Sequence, residues 1–351
     1  MKEENSSNEW EILFEECNKL PKGPENSPEN LKHIMRLFVA DFTRSMESRL
    51  HSKFWQIMKN MIDSMTNSSP DKIVRDNVLN LSIGYLTDLS LLVHSFYKMP
   101  NLNLPPFLTF KSRNSKEFKS TTLFRVFGAF IALRMGDLMR YKGENERARE
   151  YYELSVCINQ ADGTAWNQLG VINSKCGKLL ESLYCHSRAL YAYQPFQTAS
   201  ANLSAIFRKF ANKDTSKEMP LRDLFIAIIS KIHFMLNIEG GDEVFERLGP
   251  AIGESKEMIC SLVAASDNLD AELDRESSIF KNIEKLWKIS HKELLQHMNI
   301  QKPSDEQLHL LMLLLRRPEY CTTANSSELV SYLKSRGDSV IPDPERFHIF
   351  M

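Results

Sequence analysis

Apolar residues recur at three- and four-residue steps along almost the whole chain, and alternating Val/Ile/Thr runs bounded by turn dipeptides are missing, so the sequence predicts an all-α protein. The first stripe is Trp10, Leu13, Phe14 and Cys17, ended by Leu20-Pro21-Lys22-Gly23-Pro24. The second is Ile34, Phe38, Phe42, Met46, Leu50, Phe54, Ile57, Met61 and Met65, the pattern of one long bundle helix from about residue 28 to 65. The third, over about 71 to 99, carries Val74, Val78, Leu81, Tyr85, Leu89, Leu92 and Phe96. Residues 101 to 120, with Pro105-Pro106 and the polar run 111 to 116, read as an exposed loop. Short antiparallel helices follow from Thr121, broken at Gly143, Asp162-Gly163, Gly177 and Pro195. Leu221, Phe225, Ile228 and Ile232, then Leu308, Leu311, Leu314 and Leu315, predict further core helices.

Within the short helices lies a repeat: the segment around Gly136 superposes on that around Gly170 with a 34-residue shift, the period of tetratricopeptide repeats. The second copy has Trp166, Leu169, Gly170 and Ala189 at the signature places, and the first has Gly136, Ala148 and Tyr152. A weaker third copy starts near Ser200, with Leu203 and Ser204 at the leucine and glycine places. Small residues let the paired helices approach closely, and the aromatic is expected to fill the hole between neighbouring hairpins.

Composition narrows the function. The 351 residues include 44 Lys+Arg against 45 Asp+Glu, so no global basic field draws the protein onto nucleic acid or an anionic membrane. Any anion site is local. The start MKEENSSN has no apolar segment behind it, and the longest apolar run, 310 to 315, is too short to cross a bilayer. We therefore expect a soluble, cytoplasmic protein, with shuttling to the nucleus allowed. The six cysteines show no two-residue spacing, and the nine histidines no His-Glu-x-x-His pair, so no metal or cofactor is expected. No paired carboxylates, glycine-rich phosphate loop or Ser/His/Asp set marks an enzyme.

The run Met135-Gly136-Asp137-Leu138-Met139-Arg140-Tyr141 carries a family resemblance, together with Tyr151-Tyr152, Trp166-Asn167-Gln168-Leu169-Gly170 and Pro195-Phe196-Gln197-Thr198-Ala199-Ser200-Ala201-Asn202-Leu203. It resembles the family of nonsense-mediated mRNA decay adaptors and telomerase-associated ever-shorter-telomere proteins, which are similar in fold to 14-3-3 proteins. Pro195-Phe196 brings the chain nearer the seventh-numbered branch of that family than the fifth. The resemblance implies a 14-3-3-like domain over 1–212, with tetratricopeptide repeats at about 121–210, extended by a helical hairpin domain over 213–351. It further implies a non-enzymatic adaptor that binds phosphoserine or phosphothreonine and recruits decay machinery to the phosphorylated up-frameshift RNA helicase. A sister 14-3-3-like adaptor is implied as heterodimer partner, with a phosphatase or decay enzymes as further partners. The alternative is a structural heterodimerisation subunit whose phosphate site is weak.

From the residues alone, Arg140-Tyr141 suits a solvated helix end, where basic side chains complement the dipole. The resemblance instead makes Arg140 and Tyr141 a phosphate-binding pair, the guanidinium forking onto two phosphate oxygens, with Lys59 completing the pocket. Thr66 stands where a 14-3-3 protein places a further arginine, and Met58 where relatives tend to have an aromatic, which implies a weaker pocket. Asn167 and Asn202 match asparagines that hold the backbone of an extended peptide, since an amide donates and accepts at once. Tying one helix end to its neighbour is the plainer role for both.

Overall fold

The computed structural model describes residues 2–300, apart from 22, 69–70, 99, 111–120, 253–254, 256, 259–260 and 263–276. The stripe from Leu308 to Leu315 and the polar run 111–116 lie outside the described residues. Among those described the architecture is all-α, with an isolated bridge between Asp162 and Gln194. The chain divides into two compact units, 1–159 and 160–351. This division falls between the first and second repeats, whereas the 212/213 division drawn on the sequence marks where the repeat signature stops.

The first unit contains α1 (Lys2–Lys19), α2 (Ser27–Ala40), α3 (Phe42–Glu47), α4 (Leu50–Ser68), α5 (Lys72–Phe96), α6 (Thr121–Lys142) and α7 (Asn145–Ile158). The single helix expected over about 28 to 65 is therefore three. The first break is at Asp41, which is extended (φ −149°) and caps α3 by accepting a hydrogen bond from the Arg44 N–H at 3.0 Å. The Tyr97 hydroxyl accepts from the Phe42 N–H and donates to the Val39 carbonyl, satisfying groups that the break exposes. The second break is at Arg49, whose φ of 55° is left-handed and costs roughly 1 kcal/mol for a residue with a Cβ. Breaking the helix turns Phe42 into an aromatic cluster, its ring centroid 4.7 Å from Phe124 and 5.5 Å from Phe127. The expected stripe stays buried from Ile34 through Met61 except for half-buried Ile57, while Met65 is exposed. On α5 the buried face is Val78, Leu79, Leu86, Leu89 and Val93, which leaves the expected Leu81 and Phe96 exposed.

The repeat is visible atom by atom. α6 and α7 form one helical hairpin, and α8 (Gly163–Lys175) and α9 (Leu179–Tyr191) form another. Each turns on a glycine of positive φ, Gly143 at 85° and Gly177 at 75°, where a side chain would be strained. Beyond those glycines Glu144 N–H reaches the Met139 carbonyl and Lys178 N–H the Asn173 carbonyl, both at 2.9 Å and 34 residues apart. Gly136 and Gly170 hold equivalent places in the two hairpins. A Cβ at Gly136 would meet the Tyr152 ring at 2.6 Å, and one at Gly170 would meet the His186 ring at 2.7 Å. The signature aromatic thus fills the space over the glycine of its own hairpin rather than a hole between hairpins.

In the second unit α10 (Ala199–Phe210) and α11 (Leu221–His233) make a further hairpin, with Leu203 buried and Ser204 half-buried. Every residue of α11 from Leu224 to Ile232 is buried. Helices α12 (Gly241–Ile252) and α13 (Ser278–Ile300) complete that burial through Phe245, Leu248, Ile283 and Trp287.

Candidate functional site

Lys59 and Asp63 on α4 lie close enough to Tyr141 on α6 for their charges to act on it, Lys59 also feels Asp137, and Arg140 adjoins Asp137 and Tyr141 on α6. Two contacts fix the approach of these helices. The Arg134 guanidinium lies 4.7 Å from the centre of the Trp55 ring, one turn before Lys59, and donates to Asp137 Oδ2 at 2.8 Å. Asp137 is the pivot: its side chain is 2% exposed, and its other oxygen accepts from the Tyr152 hydroxyl at 2.8 Å. That hydroxyl in turn accepts from Arg140 Nε at 3.2 Å, while Arg140 Nη2 stands 3.6 Å from Asp137 Oδ1. The Arg140 guanidinium also rests over the Tyr141 ring, 4.7 Å from its centre.

The arrangement shifts the titrating groups. Burial alone would lower the Arg140 guanidinium, but the Tyr152 phenol, by charge and hydrogen bond, and the Asp137 carboxylate outweigh it and raise it. Burial, with Asp137 adding to it, raises the Tyr141 phenol, and the same two causes push the Tyr152 phenol far up. The hydrogen bond that Lys59 donates to Asp63 raises its ammonium. Cations and phenols therefore keep their protons across the neutral range and can donate to an anion.

Arg140 is less open than a groove lining alone requires, with its side chain 21% exposed and engaged from below. Lys59, at 42%, faces solvent. Thr66 donates its hydroxyl to the Ile62 carbonyl at 2.7 Å, and Met58 is fully buried. Arg75 on α5 donates to the Tyr141 carbonyl and Lys142 reaches Asn80 Oδ1, so α5 closes the C-terminal end of α6.

The two asparagines meet in the second unit. Asn202 Nδ2 on α10 donates to Asn167 Oδ1 on α8 at 2.9 Å, and His186 Nδ1 on α9 lies 3.0 Å from the same oxygen. With Oδ1 accepting, Nδ1 of His186 carries the proton. Asn167 is 5% exposed and Asn202 half-buried. Burial lowers His186 to about 4, so the ring is neutral at physiological pH.

A family profile described as "Est1 DNA/RNA binding domain" matches residues 148–248. Zebrafish (Danio rerio) nonsense-mediated mRNA decay factor SMG7 is 28% identical over 102 residues, which are 29% of this chain and 9% of that protein. A chain from the structure of the C. elegans SMG5–SMG7 complex superposes with a TM-score of 0.85 at 40% identity, covering 93% of this chain and 88% of that one. The chain belongs to the SMG5/SMG7 family. The helices that carry the α4–α6 cluster and the asparagine pair thus belong to the fold shared with the C. elegans chain.

Reading the sequence of this SMG5/SMG7-family member singled out Lys59, Arg140, Tyr141, Asn167 and Asn202 but missed the groups that hold them. Asp137 and Tyr152 sit under Arg140, Asp63 pairs with Lys59, and His186 supports Asn167. The signal for two of these was available: Tyr152 and His186 are 34 residues apart, as are Gly136 and Gly170. Among the described residues no three His, Cys, Asp or Glu side chains gather as a metal site, and no helix is long and apolar enough to cross a membrane.

Proposed function

We propose that this chain is a non-catalytic adaptor of nonsense-mediated mRNA decay. It pairs with a sister 14-3-3-like adaptor and grips a phosphoserine or phosphothreonine segment of the pathway's RNA helicase, bringing decay enzymes or a phosphatase to it. The observation that carries this reading is the 40% identity over 93% of the chain to a member of the SMG5–SMG7 complex. The phosphate role is supported by the meeting of Lys59, Arg140 and Tyr141, two cations and a phenol that all remain donors at neutral pH. Asn202 is half-buried beside Asn167, a position suited to holding the backbone of a bound segment. Pro195-Phe196 and the likeness to zebrafish SMG7 favour the SMG7 branch. Acidic and basic residues are equal in number over 148–248, which favours a protein ligand over a nucleic acid.

Titrating a phosphoserine peptide from the helicase against its unphosphorylated twin tests the grip: a preference of about tenfold or more is expected. Equal affinities refute it. Light scattering of the co-purified sister adaptors tests pairing, and persistent monomers at micromolar concentration overturn it. A second reading, a pairing subunit with a weak phosphate site, is favoured by one detail: Thr66 spends its hydroxyl within its own helix and adds no charge.

A further inference from the structure

Asp63 lies one helical turn beyond Lys59, and its Oδ2 is 2.8 Å from the lysine Nζ. Both side chains face solvent, at 53% and 42% exposed, so the pair forms at the mouth of the site. The Asp63 charge also acts on the Tyr141 phenol. The other carboxylate of the cluster behaves differently. Asp137 is buried beneath the site, and Arg134 neutralises it from the side away from Tyr152. Asp63 has no such second cation: among the described residues its carboxylate pairs with Lys59 alone.

An incoming dianion that uses Lys59 and Arg140 must therefore take the ammonium from Asp63 and then sit beside the carboxylate it displaced. We propose that Asp63 is a built-in competitor for the phosphate, an autoinhibitory carboxylate that sets the affinity of the site low. This rests on the phosphate-binding reading. It identifies what regulates that site: occupancy requires an exchange of counter-ions at Lys59, not simple addition to a vacant cation. Asp63 gives the helix little that would explain it otherwise, because with the base before the acid the i,i+4 pair is in the weaker order and a carboxylate in the C-terminal half of α4 faces the negative end of the dipole. Asp63→Asn keeps the shape, removes the competing charge and leaves Lys59 free.

The probe is an alanine-flanked phosphoserine pentapeptide, titrated into the full chain at pH 7.5 and followed by its 31P resonance. Asp63→Asn should bind it roughly three- to tenfold more tightly than wild type, from release of an exposed pair plus loss of like-charge repulsion. Glu15→Gln removes the same charge from another i,i+4 pair, Glu15–Lys19 on α1, and should change nothing. Lys59→Ala should weaken the peptide more in the Asp63→Asn background than in wild type, because only there is the ammonium free beforehand. Arg140→Ala reports on the underlying reading. If Arg140→Ala abolishes binding while Asp63→Asn leaves it unchanged or weaker, the competitor proposal is overturned and the phosphate site stands. If Asp63→Asn binds where wild type does not, the proposal is upheld in its strongest form. If neither binds, the phosphate site and the competitor fall together.

Discussion

Tyr152→Phe isolates the hydroxyl that links Arg140 to Asp137. The ring remains over Gly136, so no cavity opens, and the change is confined to one oxygen. That oxygen donates to a carboxylate whose side chain is 2% exposed, a hydrogen bond to a charged group worth about 1.5 to 3 kcal/mol. Arg134 still holds the second carboxylate oxygen at 2.8 Å, which places the cost at the lower end, about 2 kcal/mol. With a urea dependence near 2 kcal/mol per molar, the first unit should lose about 1 M of its unfolding midpoint. Buried Trp10 and Trp55 report that unit by fluorescence, so its transition can be followed in Trp166→Phe/Trp287→Phe protein. Arg140 keeps Asp137 and the Tyr141 ring but loses its hydrogen bond to the phenol, and re-ordering the loosened side chain on binding costs at most about 0.7 kcal/mol, so phosphopeptide affinity should fall by no more than about threefold. Tyr152→Ala, which also empties the space over Gly136, should cost about 3 to 5 kcal/mol. A Tyr152→Phe midpoint indistinguishable from wild type would show that the guanidinium–phenol–carboxylate chain does not stabilise the unit.

Gly136→Ala should destabilise by about 1 to 3 kcal/mol despite alanine's better helix propensity, because the new Cβ meets the Tyr152 ring at 2.6 Å; a raised melting temperature would refute this. Arg140→Ala should weaken a phosphopeptide about tenfold or more, Arg140→Glu further still, and both should lower stability because Asp137 loses a partner, measurable by titration and urea unfolding of the same samples. Burial lowers His186 to about 4, and burial with the nearby Arg134 and Arg49 lowers His51 to about 4. The unfolded chain therefore takes up these protons first, so stability present above about pH 6.5 should be lost as pH falls towards 4, and His186→Gln should remove that residue's share of the slope.

The hairpins from Thr121 onward were legible because their signals are local: a glycine at each turn, a small residue at each crossing and a fixed 34-residue period. The break between α2 and α3 was not, since the apolar stripe runs through it in phase. The break at Asp41 is supported by the Tyr97 hydroxyl, 55 residues away from the Phe42 N–H it satisfies. The exposed Leu81 and Phe96 show the same limit, because periodicity gives a stripe but not which side of it the neighbours cover. At the site, solvent-facing Lys59, half-buried Tyr141 and the pair Asn167–Asn202 could be named from motifs. Asp63 and Asp137 could not, because an acid one turn from a base reads as surface charge until burial separates a bolted-down carboxylate from a solvent-facing one.

The two rings seated on Gly136 and Gly170 occupy one socket but end differently, in a phenol on one and an imidazole on the other. Packing fixes the shape of the ring and leaves its polar tip to be chosen. The phenol tip speaks to a carboxylate and a guanidinium, and the imidazole tip to an amide. A duplicated hairpin can thus acquire two chemistries without altering its backbone, one suited to charge and one to a neutral peptide group. Exchanging the tips, with Tyr152→His in one hairpin or His186→Tyr in the other, would transplant the chemistry while keeping the frame, and tandem repeats of this kind become a means of varying a binding surface one socket at a time.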